Sequence, residues 1–445
     1  MKHILLLGAG RSASVLISYL LQNAASQNWS LTIGDMQVDH LKPVLENYAF
    51  ANAIVFNIHD EEQRTSEVAK ADLVISLLPA MFHILAAEEC LKQHKNLITA
   101  SYVSPEIKAL HEKAELEGLT FLMECGLDPG IDHMSAMQVI HHIKETGGEI
   151  YAFKSYTGGL MAPESDNNPW NYKITWNPRN VVVAGQGTAK YLEHGTYKYI
   201  PYHQLFSRTE TFKVLNFGEF EGYANRDSLS YREPYGLGNI QTILRGTFRR
   251  KGFSEAWNAL VQLGLTDDSY KLENSAGMTY AQFTAAYLPA STGNSALKES
   301  LCEYLGFSPE SDTVSKLEWL GLFSEEAIGL ENASPAQIVE KMLVNKWKLS
   351  PGDKDMIVMQ HLFEYELAGQ QHEFTSSLVV IGDDEVHTAM AKTVGLPVAI
   401  LAKLLLQGKI SNRGVVIPIH PELYEPVLEE LKSYGVNFIE QDREI

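Results

Sequence analysis

The stretch Ile4-Leu-Leu-Leu-Gly8-Ala-Gly10-Arg-Ser-Ala13 runs an apolar segment directly into the glycine pattern Gly8-x-Gly10-x-x-Ala13. In a dinucleotide-binding turn the first glycine permits a tight turn after the strand, and the second lets the backbone approach a pyrophosphate. The small third residue lets the following helix pack on the strand. The pattern alone is weak evidence, because an unrelated α/β unit can contain a glycine turn. A helical pattern at 14–21 follows, and this context favours a nucleotide site.

A second apolar segment, Trp29–Ile33, ends at Asp35, at about the spacing expected for a ribose-binding acid. A carboxylate there accepts hydrogen bonds from the ribose of NAD and repels the 2′-phosphate of NADP. We therefore expect NAD, with NADP as the alternative because Arg11 lies in the glycine turn. The predicted cofactor-binding residues are Gly8, Gly10, Arg11, Ser12, Ala13, Asp35, Asp60, Leu77, Leu78, Pro79 and Leu127.

The first 130 residues alternate short β-rich runs with helical patterns. The runs predict strands at Ile4–Leu7, Leu31–Ile33, Ala53–Phe56, Leu73–Leu77, Asn96–Thr99 and Thr120–Met123. This alternation predicts an α/β fold with a Rossmann-like, doubly wound parallel sheet over residues 1–130. Ligands of such sheets bind at the carboxyl ends of the strands.

The pattern changes near Ile150. Alternating runs predict strands of a second sheet at 151–156, 180–183, 211–215 and 375–381, and the pattern between them becomes helical. The domains predicted after the first are a mixed α+β substrate-binding domain (131–254 and 367–386), a helical insertion (255–366) and a C-terminal segment that returns to the Rossmann domain (387–445).

Composition and charge exclude several classes of protein. The 445 residues, 45% hydrophobic and 20% charged, are those of a globular protein with more than one core. A net charge of −19 repels nucleic acid and anionic membranes, so neither is an expected partner. The three cysteines have no zinc-site spacing, and we expect neither disulfides nor a metal. We see no signal peptide or membrane-length apolar run, and expect a cytoplasmic homodimer.

Asp128 and Lys173 are two of the candidates for general acid–base catalysis. Asp128 precedes Pro129, which disfavours the α conformation and holds the carboxylate at the rim of the sheet. A helix-capping role for Asp128 or Asp132 is the alternative, and we expect His133 to be a packed or capping histidine. Lys173 lies between aromatic residues that would desolvate its ammonium, and a surface lysine lying over those rings is the alternative.

A short span of this acidic chain is rich in cations: Arg226, Arg232, Arg245, Arg249, Arg250 and Lys251. Arginine binds carboxylates through two parallel hydrogen bonds. Arg226 and Arg245, beside Asn225 and Thr247, therefore predict a site for a ligand with several carboxylates. Salt bridges to the chain's own acidic residues are the alternative.

The chain resembles the glutamate-forming saccharopine dehydrogenase family in several motifs. They are Ser76-Leu-Leu-Pro79, Thr99-Ala-Ser-Tyr102, Gly126-Leu-Asp-Pro-Gly-Ile-Asp-His-Met134, Ser155-Tyr-Thr-Gly-Gly-Leu160 with Ala162-Pro-Glu164, Gly222-Tyr-Ala-Asn-Arg-Asp-Ser228 and Leu244-Arg-Gly-Thr247. Two departures are Thr157, where the family commonly has Cys, and Met161, where it has Pro. No thiol role is therefore implied at 157. The strand end Ile33-Gly34-Asp35 resembles the NAD-using animal members, whereas fungal NADP users tend to have a basic residue nearby.

The resemblance implies an oxidoreductase of lysine metabolism that interconverts saccharopine, NAD(P) and water with L-glutamate and 2-aminoadipate 6-semialdehyde. The substrate-binding residues we predict are Ser101, Tyr102, Asp128, Lys173, Asn225, Arg226, Arg245, Gly246 and Thr247. The candidate proton acceptors are Asp128, Tyr102 and Lys173, among which the sequence does not choose.

Two other functions stay open at this stage. A related imine-reducing or amine-oxidising enzyme, such as carboxynorspermidine dehydrogenase or lysine 6-dehydrogenase, would bind a substrate with fewer carboxylates. A nucleotide-binding regulator without catalysis would show an eroded substrate pocket, whereas this chain keeps the polar motifs.

Overall fold

The computed structural model describes residues 1–290 and 296–445. The strands in these ranges are β1 Lys2–Leu7, β2 Trp29–Asp35, β3 Ala51–Val55, β4 Leu73–Ser76, β5 Asn96–Thr99, β6 Thr120–Leu122, β7 Glu149–Met161, β8 Ala189–Glu193, β9 Thr196–Ile200, β10 Glu210–Lys213, β11 Glu219–Ala224, β12 Thr242–Arg250, β13 Asp355–Leu367, β14 Gln370–Ile381, β15 Gly414–Val416 and β16 Phe438–Glu444.

The α-helices of the same ranges are α1 Ser14–Gln27, α2 Lys42–Leu45, α3 Glu61–Lys70, α4 His83–Lys92, α5 Pro105–Lys108, α6 His111–Leu116, α7 Ile131–Glu145, α8 Pro178–Val182, α9 Tyr202–Leu205, α10 Phe253–Gln262, α11 Tyr280–Ala285, α12 Leu297–Leu305, α13 Asp312–Leu320, α14 Pro335–Lys346, α15 Ala389–Leu406 and α16 Pro421–Lys432. A short 3-10 turn, Arg11–Ala13, leads into α1.

The chain divides into two compact units. The first consists of Met1–Glu149 and Leu378–Ile439, and the second of Ile150–Ser377 and Glu440–Ile445. Helix α7, within our predicted substrate-binding domain, lies in the first unit. The assignment of substrate binding and insertion to separate residue ranges stays a prediction.

The first unit is built on a seven-stranded sheet in the order β15-β6-β5-β4-β1-β2-β3, with every registered pair parallel. Residues 4–7 of β1 are at most 1% exposed, because a central parallel strand is covered on both faces and must be apolar throughout. All six strands predicted for residues 1–130 belong to this sheet. The prediction of a Rossmann-like parallel sheet is therefore confirmed.

Residues 378–439 add strand β15 and helices α15 and α16 to the first unit. Strand β15 pairs in parallel with β6 and forms one edge of the sheet. Helix α15 packs against α1 with a glycine at the contact, since a Cβ on Gly395 would lie 2.9 Å from the backbone nitrogen of Leu16. Gly395 therefore allows the two helices to approach closely.

Helix α15 is, among the described residues, the one long and apolar enough to cross a membrane by length and composition alone. Its 18 residues have a mean hydropathy of 1.7, and 72% of them are buried inside the structure. Our expectation that no apolar run would reach this length is wrong, and the burial of α15 against α1 accounts for its composition. The cytoplasmic location stays a prediction.

The second unit contains a mixed sheet in the order β10-β11-β12-β7-β13-β14-β16, with β8 pairing β12 and β9 pairing β8. Strand β12 is parallel to β7 and antiparallel to β11 and β8. Helices α10 to α14 lie between β12 and β13 in the chain. The prediction of a second, α+β unit with a mixed sheet is thus confirmed.

Two local predictions in this unit are wrong. Residues 180–183 were expected to form a strand, but 178–182 form α8, since Asn177 caps the Arg179 backbone N–H and Pro178 suits the first turn. Residues up to 366 were expected to be helical, but the last helix ends at Lys346 and β13 begins at Asp355. A strand buried on both faces has no alternation to distinguish it from a helix.

Candidate active site

Glycine is suited to the two positions of the N-terminal turn, Gly8 and Gly10, for different structural reasons. Gly8 has a φ of 95° and donates its N–H to the Gly34 carbonyl, and a Cβ there would lie 2.8 Å from the carbonyl oxygen of Leu77. Gly10 has a φ of −71°, which any residue adopts, and a Cβ there would meet nothing within 4 Å. The space above Gly10 is a cradle that a side chain would fill, which is the feature that a pyrophosphate needs.

Asp35 lies at the end of β2 and is bound to the glycine turn. Its Oδ2 accepts a hydrogen bond from the Ala9 N–H at 2.7 Å, and its Oδ1 accepts one from the Gln37 N–H at 2.9 Å. The His40 imidazole lies 3.1 Å from the Ala9 carbonyl. Two backbone N–H donors hold this carboxylate at the position where a Rossmann fold binds the adenosine ribose.

The other predicted cofactor residues lie in the same unit. Leu77 and Leu78 follow β4, and the Leu77 carbonyl contacts the Gly8 turn. Asp60 caps α3 by accepting a hydrogen bond from the Gln63 N–H at 3.0 Å. Residues 11–13 form the 3-10 turn that enters α1, Pro79 is exposed, and Leu127 is buried. Contact of these residues with a cofactor stays a prediction.

A buried histidine that the sequence analysis missed joins the ends of β4 and β5. His83 Nδ1 lies 2.8 Å from Ser76 Oγ, and its Nε2 lies 2.7 Å from Ser101 Oγ and 3.2 Å from Thr99 Oγ1. Burial lowers the pKa of His83 to about 4, so the ring is neutral at physiological pH. Ser101, a predicted substrate residue, is therefore oriented by His83. A histidine in the apolar helix α4 was the available signal.

Tyr102 and Asp128, both candidate proton acceptors, are brought together. The Tyr102 hydroxyl donates a hydrogen bond of 2.8 Å to Asp128 Oδ1. Both side chains are partly exposed. The pair can bind a substrate amine and hold its proton.

The segment after β6 carries a buried set of ionisable side chains, Glu124, Asp132 and His133. Glu124 accepts hydrogen bonds from the Val103 N–H at 3.0 Å and faces the His133 ring at 2.8 Å. Asp132 accepts one from the Gly130 N–H at 2.6 Å and lies 3.7 Å from His133. The expectation of a packed His133 is confirmed, and the set fixes the loop that carries Asp128. The part of the chain that the structure describes contains no group of three or more such side chains able to hold a metal.

In the second unit, alternate residues of β12 lie on opposite faces of the sheet. Gly246 lies on an aromatic face, because a Cβ there would be 2.3 Å from the Tyr156 ring. Tyr156 stacks on Phe248 with 5.1 Å between ring centroids. Arg245 and Thr247 therefore share the other face, and Gly246 can reach a ligand only through its backbone.

Arg245 is 7% exposed, and its guanidinium lies 4.4 Å from the centroid of the Tyr231 ring. Its backbone N–H donates to Ser228 Oγ at 2.8 Å, and its carbonyl accepts from the Asn225 N–H at 2.8 Å. Asn225 and the exposed Arg226 follow β11 directly. The structure thus brings together the four residues predicted to bind carboxylates: Asn225, Arg226, Arg245 and Thr247.

Lys173 has a partner that the sequence did not indicate. Its Nζ donates to Asp353 Oδ2 at 2.6 Å, and both residues are buried. The Ser350 N–H donates to the same carboxylate oxygen at 2.6 Å. Lys173 is therefore a member of a buried pair and not a surface lysine, and its part in proton transfer stays a prediction.

Three further cations of this span, Arg232, Arg250 and Lys251, differ in burial and in hydrogen-bond partners. Arg232 donates to the Tyr197 hydroxyl at 3.2 Å and to the Gly238 carbonyl. Arg250 donates to the Phe217 carbonyl at 2.8 Å, and Lys251 is exposed. Arg250 also lies 4.0 Å from a carboxylate oxygen of Asp166, so the salt-bridge alternative describes this arginine in part.

Two family models match successive parts of the chain. The saccharopine dehydrogenase NADP binding domain matches residues 4–122, and the saccharopine dehydrogenase C-terminal domain matches residues 126–436. The chain belongs to the saccharopine dehydrogenase family. As a member of that family it is similar to curated proteins from animals, plants and fungi.

One relative is the mitochondrial alpha-aminoadipic semialdehyde synthase of Bos taurus, 37% identical over 99% of this chain and 48% of that protein. Another is the NADP(+), L-glutamate-forming saccharopine dehydrogenase of Saccharomyces cerevisiae, 32% identical over 98% of both chains. This chain spans about half the length of the animal and plant relatives.

A solved structure extends the likeness to the whole fold of this family member. The apo L-Glu-forming saccharopine dehydrogenase of Saccharomyces cerevisiae matches with a TM-score of 0.88 at 31% identity, over 100% of both chains. Both units therefore have the fold of a saccharopine dehydrogenase.

Proposed function

We propose that this chain catalyses the reversible oxidation of saccharopine by NAD, with water as co-reactant, to L-glutamate and 2-aminoadipate 6-semialdehyde. The observation that carries the proposal is the full-length likeness to fungal dehydrogenases named as L-glutamate-forming. The geometry of the two polar regions described above supports it.

The substrate contacts we propose lie on β12 and at the end of β11. Saccharopine carries three carboxylates, and each needs a fixed cation or several hydrogen-bond donors. Arg245, held by Ser228 and Tyr231, has the fixed orientation that a bidentate carboxylate contact requires. Arg226 and Thr247 would complete the carboxylate contacts, and Asn225 would supply an amide.

The first unit would hold the nicotinamide cofactor. The open space at Gly10 fits a pyrophosphate, and Asp35 fits the adenosine ribose. Bound there, the nicotinamide ring supplies the hydride acceptor of the oxidation.

We propose NAD as the preferred cofactor. The Asp35 carboxylate, anchored by two N–H groups, would repel a 2′-phosphate. The fungal relatives are named as NADP(+) enzymes, so the same class of cofactor is common to the family. We expect kcat/KM to be higher with NAD than with NADP, and a clear preference for NADP would contradict the assignment.

The chain's own acid–base contribution is assigned to the Tyr102–Asp128 pair. Hydride leaves the carbon of the six-carbon chain next to the secondary amine, so that amine must first be unprotonated. Asp128 accepts a hydrogen bond from the Tyr102 hydroxyl and would accept the amine proton in the proposed reaction. Water then adds to the resulting imine, the C–N bond breaks, and the nitrogen leaves with glutamate.

The test is a spectrophotometric assay of the purified chain. We expect reduced nicotinamide to accumulate with saccharopine and NAD, and to be consumed with glutamate plus the semialdehyde. Lysine and carboxynorspermidine serve as competing substrates that have fewer carboxylates. Turnover of either in preference to saccharopine would overturn the proposed activity.

Two variants refine the assignment. Arg245→Met should raise the saccharopine KM by about 100-fold, the loss of a charge-assisted contact of roughly 3 kcal/mol. Asp128→Asn should lower kcat by about 100-fold or more while the KM for the cofactor is retained. A wild-type kcat in Asp128→Asn would exclude Asp128 as the proton acceptor.

A further inference from the structure

Arg249 is a buried arginine without a counter-ion. It is 6% exposed, and its guanidinium lies between the rings of Tyr172 and Phe253, at 5.3 and 5.2 Å from their centroids. Its Nη1 donates to the carbonyl of the preceding residue, Phe248, at 2.9 Å, and its Nε has no hydrogen-bond partner. In residues 1–290 and 296–445, no carboxylate oxygen lies within 4.0 Å of this guanidinium.

An arginine in a protein keeps its positive charge, because its guanidinium does not lose a proton at accessible pH. Burial of an unpaired charge is costly unless an opposite charge and further hydrogen bonds compensate for it. The two flanking rings offset part of that cost through their negative faces. They do not satisfy the in-plane Nε–H, which has no hydrogen-bond partner, and a carboxylate binds the in-plane N–H groups of a guanidinium.

A second unpaired polar atom lies on the same face of the sheet. Thr157 on β7 is paired in register with Thr247 on β12, and Thr247 is paired with Tyr223 on β11. Arg249 is two residues beyond Thr247, so Thr157 and Arg249 are diagonal neighbours on one face. The Thr157 hydroxyl is buried and has no hydrogen-bond partner. A carboxylate between the two side chains would satisfy both.

We propose that Arg249 and Thr157 form a buried carboxylate subsite of the second unit, separate from the contacts of Arg226 and Arg245. This inference rests on the proposed function, since the ligand is a carboxylate of the same substrate. The subsite would favour substrates that carry an additional carboxylate over amino acids that have a single one. Arg245, Thr247 and Arg249 occupy alternate positions of β12, so one strand face holds both cations.

The main test compares three variants by steady-state kinetics. Arg249→Lys keeps the positive charge but loses the planar guanidinium with its paired N–H donors. Thr157→Val keeps the shape of the side chain but loses the hydroxyl. Arg250→Lys is the matched control, since the next residue of β12 lies on the opposite face, against Phe220. We expect the saccharopine KM to rise about 30-fold in Arg249→Lys and about fivefold in Thr157→Val, with the NAD KM unchanged.

A binding experiment separates failure of this subsite from failure of the proposed function. Glutarate, a dicarboxylate without an amine, is titrated calorimetrically into the wild-type chain and each variant, with no turnover required. We expect heat of binding in wild type and Arg250→Lys, and at least about tenfold weaker binding in Arg249→Lys. Equal glutarate affinity in wild type and Arg249→Lys would overturn the subsite even if saccharopine is turned over.

Folding defects are distinguished by thermal unfolding of the same samples. Thr157→Val removes only a hydroxyl that has no partner, so its melting temperature should not fall. Its KM should rise nevertheless. Retention of the wild-type saccharopine KM in both Thr157→Val and Arg249→Lys would overturn the proposal. An equal rise of the wild-type melting temperature with chloride and with glutarate would also overturn it, since Arg249 would then bind only a structural counter-ion.

Discussion

The Nζ of Lys173 lies 2.6 Å from Oδ2 of Asp353, although the two residues are 180 positions apart in the chain. The pair is buried, and the Ser350 N–H donates a hydrogen bond to the same carboxylate oxygen. The ion pair joins the loop after β7 to the segment that precedes β13. Lys173 therefore has a structural explanation that requires no part in proton transfer.

Breaking this pair should destabilise the chain. Asp353→Asn or Lys173→Met leaves one buried group without its counter-charge, and the free energy of unfolding should fall by about 3–5 kcal/mol. Urea unfolding measures it, with Lys70→Gln at the exposed Lys70–Glu67 pair as the control, where the change should be below about 1 kcal/mol. A Lys173→Met chain of unchanged stability that has lost its kcat would restore the catalytic role.

The two glycines of the N-terminal turn should separate folding from cofactor binding. Gly8→Ala forces a Cβ against the Leu77 carbonyl at a positive φ, and should cost about 1–3 kcal/mol of stability. Gly10→Ala enters open space at a φ of −71°, so stability should change by less than about 0.5 kcal/mol. Its affinity for NADH, measured by fluorescence titration, should nevertheless fall by about tenfold or more. Unchanged NADH affinity in Gly10→Ala would place the pyrophosphate elsewhere.

The contact between α15 and α1 predicts an unusual cost for a helical Gly-to-Ala change. Alanine favours the helix by about 1 kcal/mol, but the Cβ would lie 2.9 Å from the Leu16 nitrogen and 3.1 Å from its Cβ. Overpacking of this kind costs about 1–3 kcal/mol, so Gly395→Ala should lower the melting temperature. Gly277→Ala, where a Cβ would meet nothing within 4 Å, is the control that should leave it unchanged. A more stable Gly395→Ala chain would show that α1 can move away.

Acid should destabilise the chain through His83. Burial lowers the pKa of the folded-state ring to about 4, while an unfolded histidine titrates near 6.5. Between these values the unfolded chain binds more protons than the folded chain, so stability present above about pH 6.5 is lost as the pH falls. His83 should contribute a loss of about 2 kcal/mol between roughly pH 6.5 and 5.

The measurement is urea unfolding across that pH range in His83→Gln and in the control His203→Gln, which changes an exposed ring. The control should keep the wild-type slope of stability against pH, and His83→Gln should have a shallower one. Equal slopes in all three chains would mean that the buried ring is protonated at little cost.

The sequence was most informative where local pattern and burial agree. The apolar run Ile4–Leu7 and the five similar runs predicted the parallel sheet, since its strands are buried on both faces. The positions of Gly8 in the turn and Asp35 at the strand end also followed from the sequence. The grouping of Arg226 and Arg245 with Asn225 and Thr247 was predicted from their motifs.

Other features depend on partners that are distant in the chain. Neither Asp353 nor His83 could be assigned from its own surroundings, since Lys173 is 180 residues from the first and Ser101 is 18 residues from the second. The strand β13 was missed because its first seven residues are all buried and show no alternation of apolar and polar positions. Helix α8 was missed because a capping Asn177 and Pro178 outweighed the β-branched residues that follow.

The return of residues 378–439 to the first unit has a consequence for biosynthesis. Helix α1 and the β6 edge leave the ribosome early, but the elements that cover them, α15 and β15, emerge only after all of Ile150–Ser377. The apolar surface of α1 and the unpaired edge of β6 therefore stay exposed until α15 and β15 are synthesised. Exposed surfaces of this kind favour aggregation or chaperone binding during translation. A nascent chain arrested before Leu378 would accordingly have a nucleotide turn without the helix that supports it.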